Sequence, residues 1–294
     1  MNPEIESIYA GIAGIQIESE SYDLGHGVIL SRTFAHLMSP FMIAFSPPKA
    51  PGLPHPAPWK TVHGGMGTDF RVQLFVPNTF SPPEFFDRLN TIWCVSALLR
   101  LKFCSDLCVT SITNKPFSQL PLDDASAEIH PAEFFSNRFS LQVERKTELE
   151  EVDLLWIREN WFRAGKLMCA NKAFYSAFHA VDSSASIANP ALGLVLIWGA
   201  LEALFAKSKA ELSFRTSAAI SSYLEPSGNA RHGLHKKLVK LYGARSAAAH
   251  GSDENVWDSY TETYAIVRCA LLKMIENNHV PSLDELEQAL FGAV

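Results

Sequence analysis

The sequence predicts an α+β N-terminal region followed by an all-helical C-terminal region, with the change near residue 146. Before that point, short runs rich in β-branched and aromatic residues are separated by stretches rich in proline and glycine, a pattern typical of strands and loops. After it, apolar residues recur at the spacing of one helix face. At 294 residues the chain can form two domains. We expect a mixed α+β domain at residues 1–145 and a helical domain at residues 146–294.

Five runs in the first part predict strands. Between the third and fourth runs, residues 46–67 contain six prolines and a Gly-Gly pair. We therefore expect a long surface loop without regular structure there. The five runs are residues 9–17, 27–31, 41–45, 70–76 and 108–113.

A helix is predicted over residues 81–103. Ser81 is a good N-cap, Pro82 suits the first helical position, and Glu84 completes a capping box. Residues 134–143 fit neither a helix nor a strand period, and their type stays open.

The second part predicts helices only. The helix at 189–207 opens with an Asn N-cap and Pro190 and is almost wholly apolar, which is typical of a core helix. The last helix begins with a capping box formed by Ser282 and Glu285. The predicted helices are residues 148–165, 171–184, 189–207, 212–224, 234–251, 255–278 and 282–291.

Composition indicates a cytoplasmic protein. The chain has five cysteines, an odd number, and no Cys-x-x-Cys motif, which favours reduced, buried thiols. The first residues, MNPEIESIYA, lack the basic and apolar segments of a signal peptide. The longest apolar run, residues 191–205, contains Glu202 and is short for a bilayer, so no membrane association is expected. His179 is expected to be an ordinary core or surface histidine.

A cation-rich stretch precedes the end of the helix at 234–251. Residues 226–250 carry five cations and no carboxylate, in a chain whose net charge is −6. This local reversal of charge predicts an anionic partner. His235 lies within the stretch and would help to hold phosphate groups. The cations are Arg231, Lys236, Lys237, Lys240 and Arg245.

Glu202 is the one formal charge in the apolar helix at 189–205. An ionised carboxylate in such a helix needs a partner, and Arg215 and Arg245 are the candidates. The pair would fix the register of two helices, or it would orient Arg245 beneath a functional cleft. Both roles can hold together.

Arg245 and His250 end the same helix with four residues between them. Five helical residues advance about 500°, so the two side chains lie about 140° apart, whereas Ser246 and His250 share a face. A titratable imidazole and a guanidinium are the groups that phosphoryl chemistry on RNA needs without a metal. Histidine would move the proton of a ribose hydroxyl, and arginine would hold the charge on phosphorus.

In order, the motifs LEALF, ELSFRTSAAI and KLYGARSAAAHG resemble the Apea-like branch of the HEPN superfamily. The resemblance covers residues 189–250 well, the flanking helices loosely, and nothing before residue 146. It implies a HEPN-like helical bundle that forms a homodimer, with arginine and histidine of two protomers facing one cleft. Arg245 and His250 would be the catalytic pair, Ser246 their polar neighbour, and Glu202 the acidic residue of the earlier helix.

The resemblance also implies a function. Many HEPN proteins are metal-independent endoribonucleases that act as toxins or in anti-phage defence, and they use no cofactor. We therefore expect cleavage of single-stranded RNA, with the N-terminal domain in a sensing or regulatory role and an antitoxin or an activating phage component as a further partner. Ser246 departs from the Asn, His or Asp common after the arginine. The alternative is thus a non-catalytic HEPN module for dimerisation or for binding nucleotide or RNA.

Overall fold

We describe the fold from a computed structural model, which covers residues 7–38, 42–61, 67–79, 86–121, 126–133, 138–206, 212–251 and 255–291. It confirms an N-terminal region with a sheet and a C-terminal region of helices. The strands are β1 (Ile8–Ala13), β2 (Gln16–Ile17), β3 (Ser21–Asp23), β4 (Ile29–Leu37), β5 (Met42–Ala44), β6 (Trp59–Thr61), β7 (Thr68–Val76), β8 (Cys108–Thr113), β9 (Ile129–Pro131) and β10 (Glu148–Leu149). The helices are α1 (Arg88–Lys102), α2 (Glu151–Ala170), α3 (Lys172–Ser184), α4 (Pro190–Phe205), α5 (Leu212–Leu224), α6 (Asn229–Ala249), α7 (Val256–Glu276) and α8 (Leu283–Phe291).

The main sheet has six antiparallel strands in the order β3-β4-β7-β1-β8-β9. Strand β1 lies inside the sheet and is buried at five of its six residues. The predicted run at 9–17 divides into β1 and β2, because Gly14 between them takes a left-handed φ of 96° that breaks the strand. Strands β3 and β9 were not predicted, since they are short and their exposed residues form no apolar run.

The prediction that residues 46–67 lack regular structure is wrong. Strand β6 lies within them and pairs with β5 in a separate two-stranded sheet. The six prolines end at Pro58, so Trp59, Lys60 and Thr61 keep their backbone donors, and tryptophan and threonine favour strands. The ribbon carries exposed apolar side chains, among them Met42, Ile43 and Trp59.

Helix α1 begins at Arg88, so the predicted start at Ser81 is wrong. Phe86 and Asp87 are not helical, and Asp87 is the N-cap, with its carboxylate accepting a hydrogen bond from the Asn90 amide at 2.7 Å. Ser81, with the rest of the predicted capping box, lies outside the described residues. The helix is buried at eleven of its fifteen residues because it packs between β7 on one side and α2, α3 and α7 on the other.

The C-terminal helices agree with the predicted ones to within about five residues. The prediction of helices only is wrong at Glu148 and Leu149, which form strand β10 before α2 begins at Glu151. Helix α4 begins after Asn189, whose side chain accepts from the Ala191 amide at 2.9 Å, with Pro190 in its first turn. Ser282 and Glu285 form the predicted capping box of α8. Helix α6 starts at Asn229, earlier than predicted. The first turn was missed because it is polar and carries no apolar stripe.

One hydrophobic core runs through both parts of the chain. Buried residues of β1, β7, α1 and the C-terminal helices form a single contiguous cluster. Strand β10, which leads into α2, pairs in parallel with β2. Helix α4 lies at the centre of the helical part and contacts α3, α6 and α7. None of the described helices has the length and apolar character needed to cross a bilayer.

Candidate functional site

Glu202 and Arg245 meet where α4 packs against α6. Arg245 Nη2 lies 3.7 Å from Glu202 Oε1, and the two side chains are 29% and 25% exposed. Of the two arginines considered as partners for Glu202, Arg245 therefore forms the ion pair. The distance is within the range of an ion pair and beyond that of a hydrogen bond, so both groups retain bonding capacity.

An aromatic pair lies beside the ion pair, one helical turn before it on each helix. The rings of Trp198 and Tyr242 meet edge to face with centroids 5.1 Å apart, and Arg245 Cζ lies 5.7 Å from the centre of the Tyr242 ring. Burial and then the Glu202 carboxylate, which also accepts a hydrogen bond from the phenol, raise the pKa of Tyr242. We call Trp198, Glu202, Tyr242 and Arg245 the arginine cluster.

Three buried polar atoms of the arginine cluster have no hydrogen-bond partner among the described residues: Trp198 Nε1, Glu202 Oε1 and Arg245 Nε. Buried polar atoms in folded proteins are nearly all bonded. The two donors and the acceptor are closed to solvent, so a ligand would reach them only if neighbouring side chains moved. Phosphate oxygens would match the two donors.

His250 and Ser246 lie at the solvent-exposed end of α6. His250 is the C-cap residue, and Gly251 follows with a left-handed φ of 74°, so the predicted glycine stop is confirmed. Ser246 is one turn earlier. Within the described residues, no side-chain hydrogen bond or ion pair joins His250 to Arg245. One chain therefore brings Arg245 to Glu202 but does not bring its own His250 to Arg245.

The lysines of α6 face carboxylates across a groove. Lys236, Lys237 and Lys240 line one wall of an open groove of about 890 Å³, and Asp258 and Glu262 of α7 line the other. Lys237 Nζ pairs with Glu262 Oε2 at 3.1 Å. The charge of the stretch is therefore partly neutralised by a neighbouring helix. Lys236 and Lys240, also exposed beside the groove, form no ion pair with the described residues.

Arg231 and His235 make contacts inside the protein. Arg231 donates to the carbonyl oxygens of Glu225 at 3.0 Å and Ala289 at 3.3 Å, which ties the start of α6 to α8. The His235 ring packs edge to face against Phe214 at 5.1 Å, and its buried Nε2 has no hydrogen-bond partner in the described chain. Both residues support the fold around the site.

Comparison with known protein families, curated proteins and solved structures finds no match to this chain. In the part of the chain that the structure describes, no group of three or more His, Cys, Asp or Glu side chains is arranged to hold a metal ion.

The sequence did not reveal a buried ionic network between the two parts of the chain. Arg100 of α1 contacts Glu133 and Asp182, and Arg138 Nη2 donates to Asp182 Oδ1 at 2.9 Å. Burial opposes the charge on Arg100, but Asp182 and then Glu133 outweigh it and raise the pKa of Arg100 above its usual value. The apolar surroundings of Arg100 in the sequence ALLRLKF were the available signal, of the same kind that drew attention to Glu202.

Proposed function

We propose that the chain is a cytoplasmic HEPN-type endoribonuclease that cleaves single-stranded RNA without a metal ion, in anti-phage defence or as a toxin. The observation that carries the proposal is the arginine cluster. Arg245 is anchored by Glu202 and Tyr242, and 29% of its side chain stays exposed to solvent. An anchored, partly exposed guanidinium is suited to the charge that develops on a phosphate during phosphoryl transfer.

The reaction needs a proton carrier beside the phosphate, and the exposed imidazole of His250 fits that role. The histidine takes the proton of a ribose 2′-hydroxyl, and the 2′-oxygen then attacks the adjacent phosphorus. The bond from phosphorus to the 5′-oxygen breaks, and an imidazolium protonates the leaving oxygen. Arg245 holds the negative charge of the non-bridging oxygens. The products are a 2′,3′-cyclic phosphate and a 5′-hydroxyl.

A homodimer would complete the site. Arg245 is partly buried against α4, whereas His250 lies beyond it at the exposed helix end. A second copy facing α6 would set its His250 opposite Arg245 of the first. Exposed Lys236 and Lys240 would contact the RNA backbone, with Ser246 as a polar neighbour. An antitoxin or an activating phage component would be a further partner.

The test is cleavage of an end-labelled single-stranded RNA in the presence of EDTA. We expect Arg245→Ala and His250→Ala each to lower the rate about 100-fold or more. Arg158→Ala, at an exposed position of α2, is the matched control and should cut like the unaltered protein. Mixing the two single variants should restore part of the activity, because a mixed dimer keeps one arginine facing one histidine. If the double variant cleaves like the unaltered protein, the catalytic assignment is wrong.

A non-catalytic HEPN dimer that binds RNA or nucleotide is the second candidate. The carboxylates facing the lysines and the pairing of Lys237 with Glu262 reduce the positive field around α6, which weakens the case for RNA cleavage and leaves dimerisation as the role that needs no such field. This candidate predicts no cleavage at high protein concentration. Arg245→Ala would then lower the stability of the fold or of the dimer without removing an activity.

A further inference from the structure

A groove of about 550 Å³ lies where α1 meets the end of α2 and the start of α3. Its walls include four aromatic rings, Phe86, Trp93, Tyr175 and His179, with the side chain of Asn90 at the same opening. Its volume is within the range of small-molecule sites, which are mostly apolar and carry a few polar groups. The lining residues are distinct from the arginine cluster and from His250.

The rings of the groove lean towards one another. The His179 ring lies 5.5 Å from Trp93 with 36° between the ring planes, and 6.0 Å from Tyr175 with 40° between the planes. Tyr175 is 45% exposed, so part of its face is open to solvent. Rings arranged in this way offer a face on which a planar heterocycle can stack.

The wall at Trp93 is held in place from behind. Trp93 Nε1 donates to Asp182 Oδ2 at 3.1 Å, and Asp182 is itself fixed by Arg100 and Arg138. The indole therefore cannot rotate freely, and little side-chain entropy is lost when a ligand stacks on it.

The groove also has unused polar groups. Among the described residues, the side-chain amide of Asn90, the Tyr175 hydroxyl and His179 Nε2 have no hydrogen-bond partner. His179 Nδ1 lies 3.4 Å from the Ser183 hydroxyl. These are donors and acceptors of the kind that read the edge of a nucleobase. The Asp182 carboxylate, the acceptor of the Trp93 indole, is already paired with two arginines.

We propose that this groove binds the base of a nucleoside or nucleotide. The ring stacks against Trp93, Tyr175 and His179, and its polar edge bonds with Asn90. The site goes beyond the proposed ribonuclease activity and does not depend on it. It lies at the contact between α1 of the N-terminal region and two helices of the C-terminal region.

The two exposed cysteines provide a test on the full-length chain. Cys169 lines the groove, whereas Cys269 on α7 does not. Alkylation by iodoacetamide is followed at each thiol by mass spectrometry, with and without adenosine, guanosine, cytidine or uridine. We expect at least one of the four to slow the labelling of Cys169 several-fold and to leave Cys269 unchanged. Protection should persist in Arg245→Ala/His250→Ala, which separates this site from the catalytic proposal.

Substitution then tests the stacking surface. Tyr175→Ala should raise the half-protecting concentration about ten-fold, because the base loses its stacking on one aromatic ring. Phe34→Ala, at a more exposed aromatic on β4, is the control and should change nothing. The proposal is overturned if no nucleoside protects Cys169, if both cysteines are slowed alike, if tetramethylammonium protects as well as a nucleoside, or if Tyr175→Ala leaves protection unchanged.

Discussion

Arg245 Nη2 and Glu202 Oε1 lie 3.7 Å apart and form the polar contact between α6 and α4. On both helices an aromatic side chain precedes the charge by one turn, so Trp198 and Tyr242 shield one side of the pair. The other side is partly open, since each charged side chain is between a quarter and a third exposed. A pair in such a setting contributes modestly to stability and defines the direction of the guanidinium.

A double-mutant cycle should therefore give a small coupling energy. We expect the Glu202→Ala and Arg245→Ala variants to be coupled by about 0.5–1.5 kcal/mol in urea unfolding, because the residues are in contact but partly solvated. The same cycle on the exposed pair Lys237 and Glu262 should give less, since both of those side chains are 48% exposed. Equal coupling energies in the two cycles would show that the rings of Trp198 and Tyr242 do not strengthen the Glu202–Arg245 pair.

Two glycines of α4 should respond in opposite ways to alanine. A Cβ at Gly193 would lie 2.6 Å from Tyr260 Cζ, and this ring cannot withdraw without losing its hydroxyl bond to the Ser184 carbonyl at 2.7 Å. Gly193→Ala should therefore cost about 1–3 kcal/mol through overpacking. Gly199 has nothing within 4 Å of its Cβ position, so Gly199→Ala should stabilise by up to about 1 kcal/mol through helix propensity. Thermal or urea unfolding measures both, and a gain at Gly193 would contradict the close approach of α4 and α7.

The helical part was predictable because its signals are local. Asn189 and Pro190 mark the start of α4 within the sequence itself, and Gly251 marks the end of α6. The start of α1 was not predicted, because the Ser-Pro-Pro-Glu motif at 81–84 outweighed the weaker cap at Asp87. The strand order was not predictable, since β1 pairs with β7 about sixty residues away and no local pattern encodes that register. The pairing of β5 with β6 in the ribbon was not encoded by a local pattern either.

The candidate site was predictable only in part. The apolar helix around Glu202 showed that its carboxylate needed a partner, and the distance to Arg245 decides between the two arginines considered. The lysine stretch looked purely cationic because Glu262 belongs to the next helix and meets Lys237 only in the folded chain. The aromatic groove joins residues at the start of α1 to residues of α2 and α3, which follow much later in the chain, so no single segment carried its pattern.

Thiol reactivity should divide the five cysteines. Burial raises the pKa of Cys94 to about 12, and the nearby Cys169 adds to the shift. Burial raises the pKa of Cys108 to about 11, and the Glu133 carboxylate adds to it. Burial also raises the pKa of Cys104. Cys169 and Cys269 are exposed. At about pH 8 we expect two thiols to react rapidly with Ellman's reagent and three to react only on unfolding. Rapid reaction of Cys94 would show that α1 is less well packed than the structure indicates.

The raised pKa values of Cys94 and Cys108 predict that the fold loses stability at alkaline pH. A thiol whose pKa is raised by folding stays neutral in the native state but ionises near pH 8.5 once unfolded. Its contribution to stability is complete below that pH and is lost as the pH rises towards the folded pKa values of Cys94 and Cys108. Urea unfolding at about pH 7 and about pH 9.5 should show the decline. In Cys94→Ala/Cys108→Ala the decline should be smaller, and an unchanged pH dependence would assign it to other groups.

Asp182 should be the most sensitive charged residue of the fold. Its carboxylate accepts hydrogen bonds from Arg100, Arg138 and Trp93, and its side chain is 8% exposed. Asp182→Asn keeps the shape but removes the charge, so two guanidinium groups, 1% and 5% exposed, lose their shared counter-ion. Because breaking a buried ion pair leaves an uncompensated charge, we expect a loss of about 3–5 kcal/mol in urea unfolding.

The matched control for Asp182→Asn is Glu262→Gln, another carboxylate-to-amide change in an ion pair. Its pair with Lys237 is about half exposed, so the expected loss is below about 1 kcal/mol. In Asp182→Asn the donors of Trp93, Arg100 and Arg138 compete for the one remaining carbonyl oxygen, so the indole is held less firmly and any nucleoside protection of Cys169 should weaken. Similar losses in the two variants would mean that water reaches the Arg100–Asp182 contact, and the network would then not hold α1 against α3.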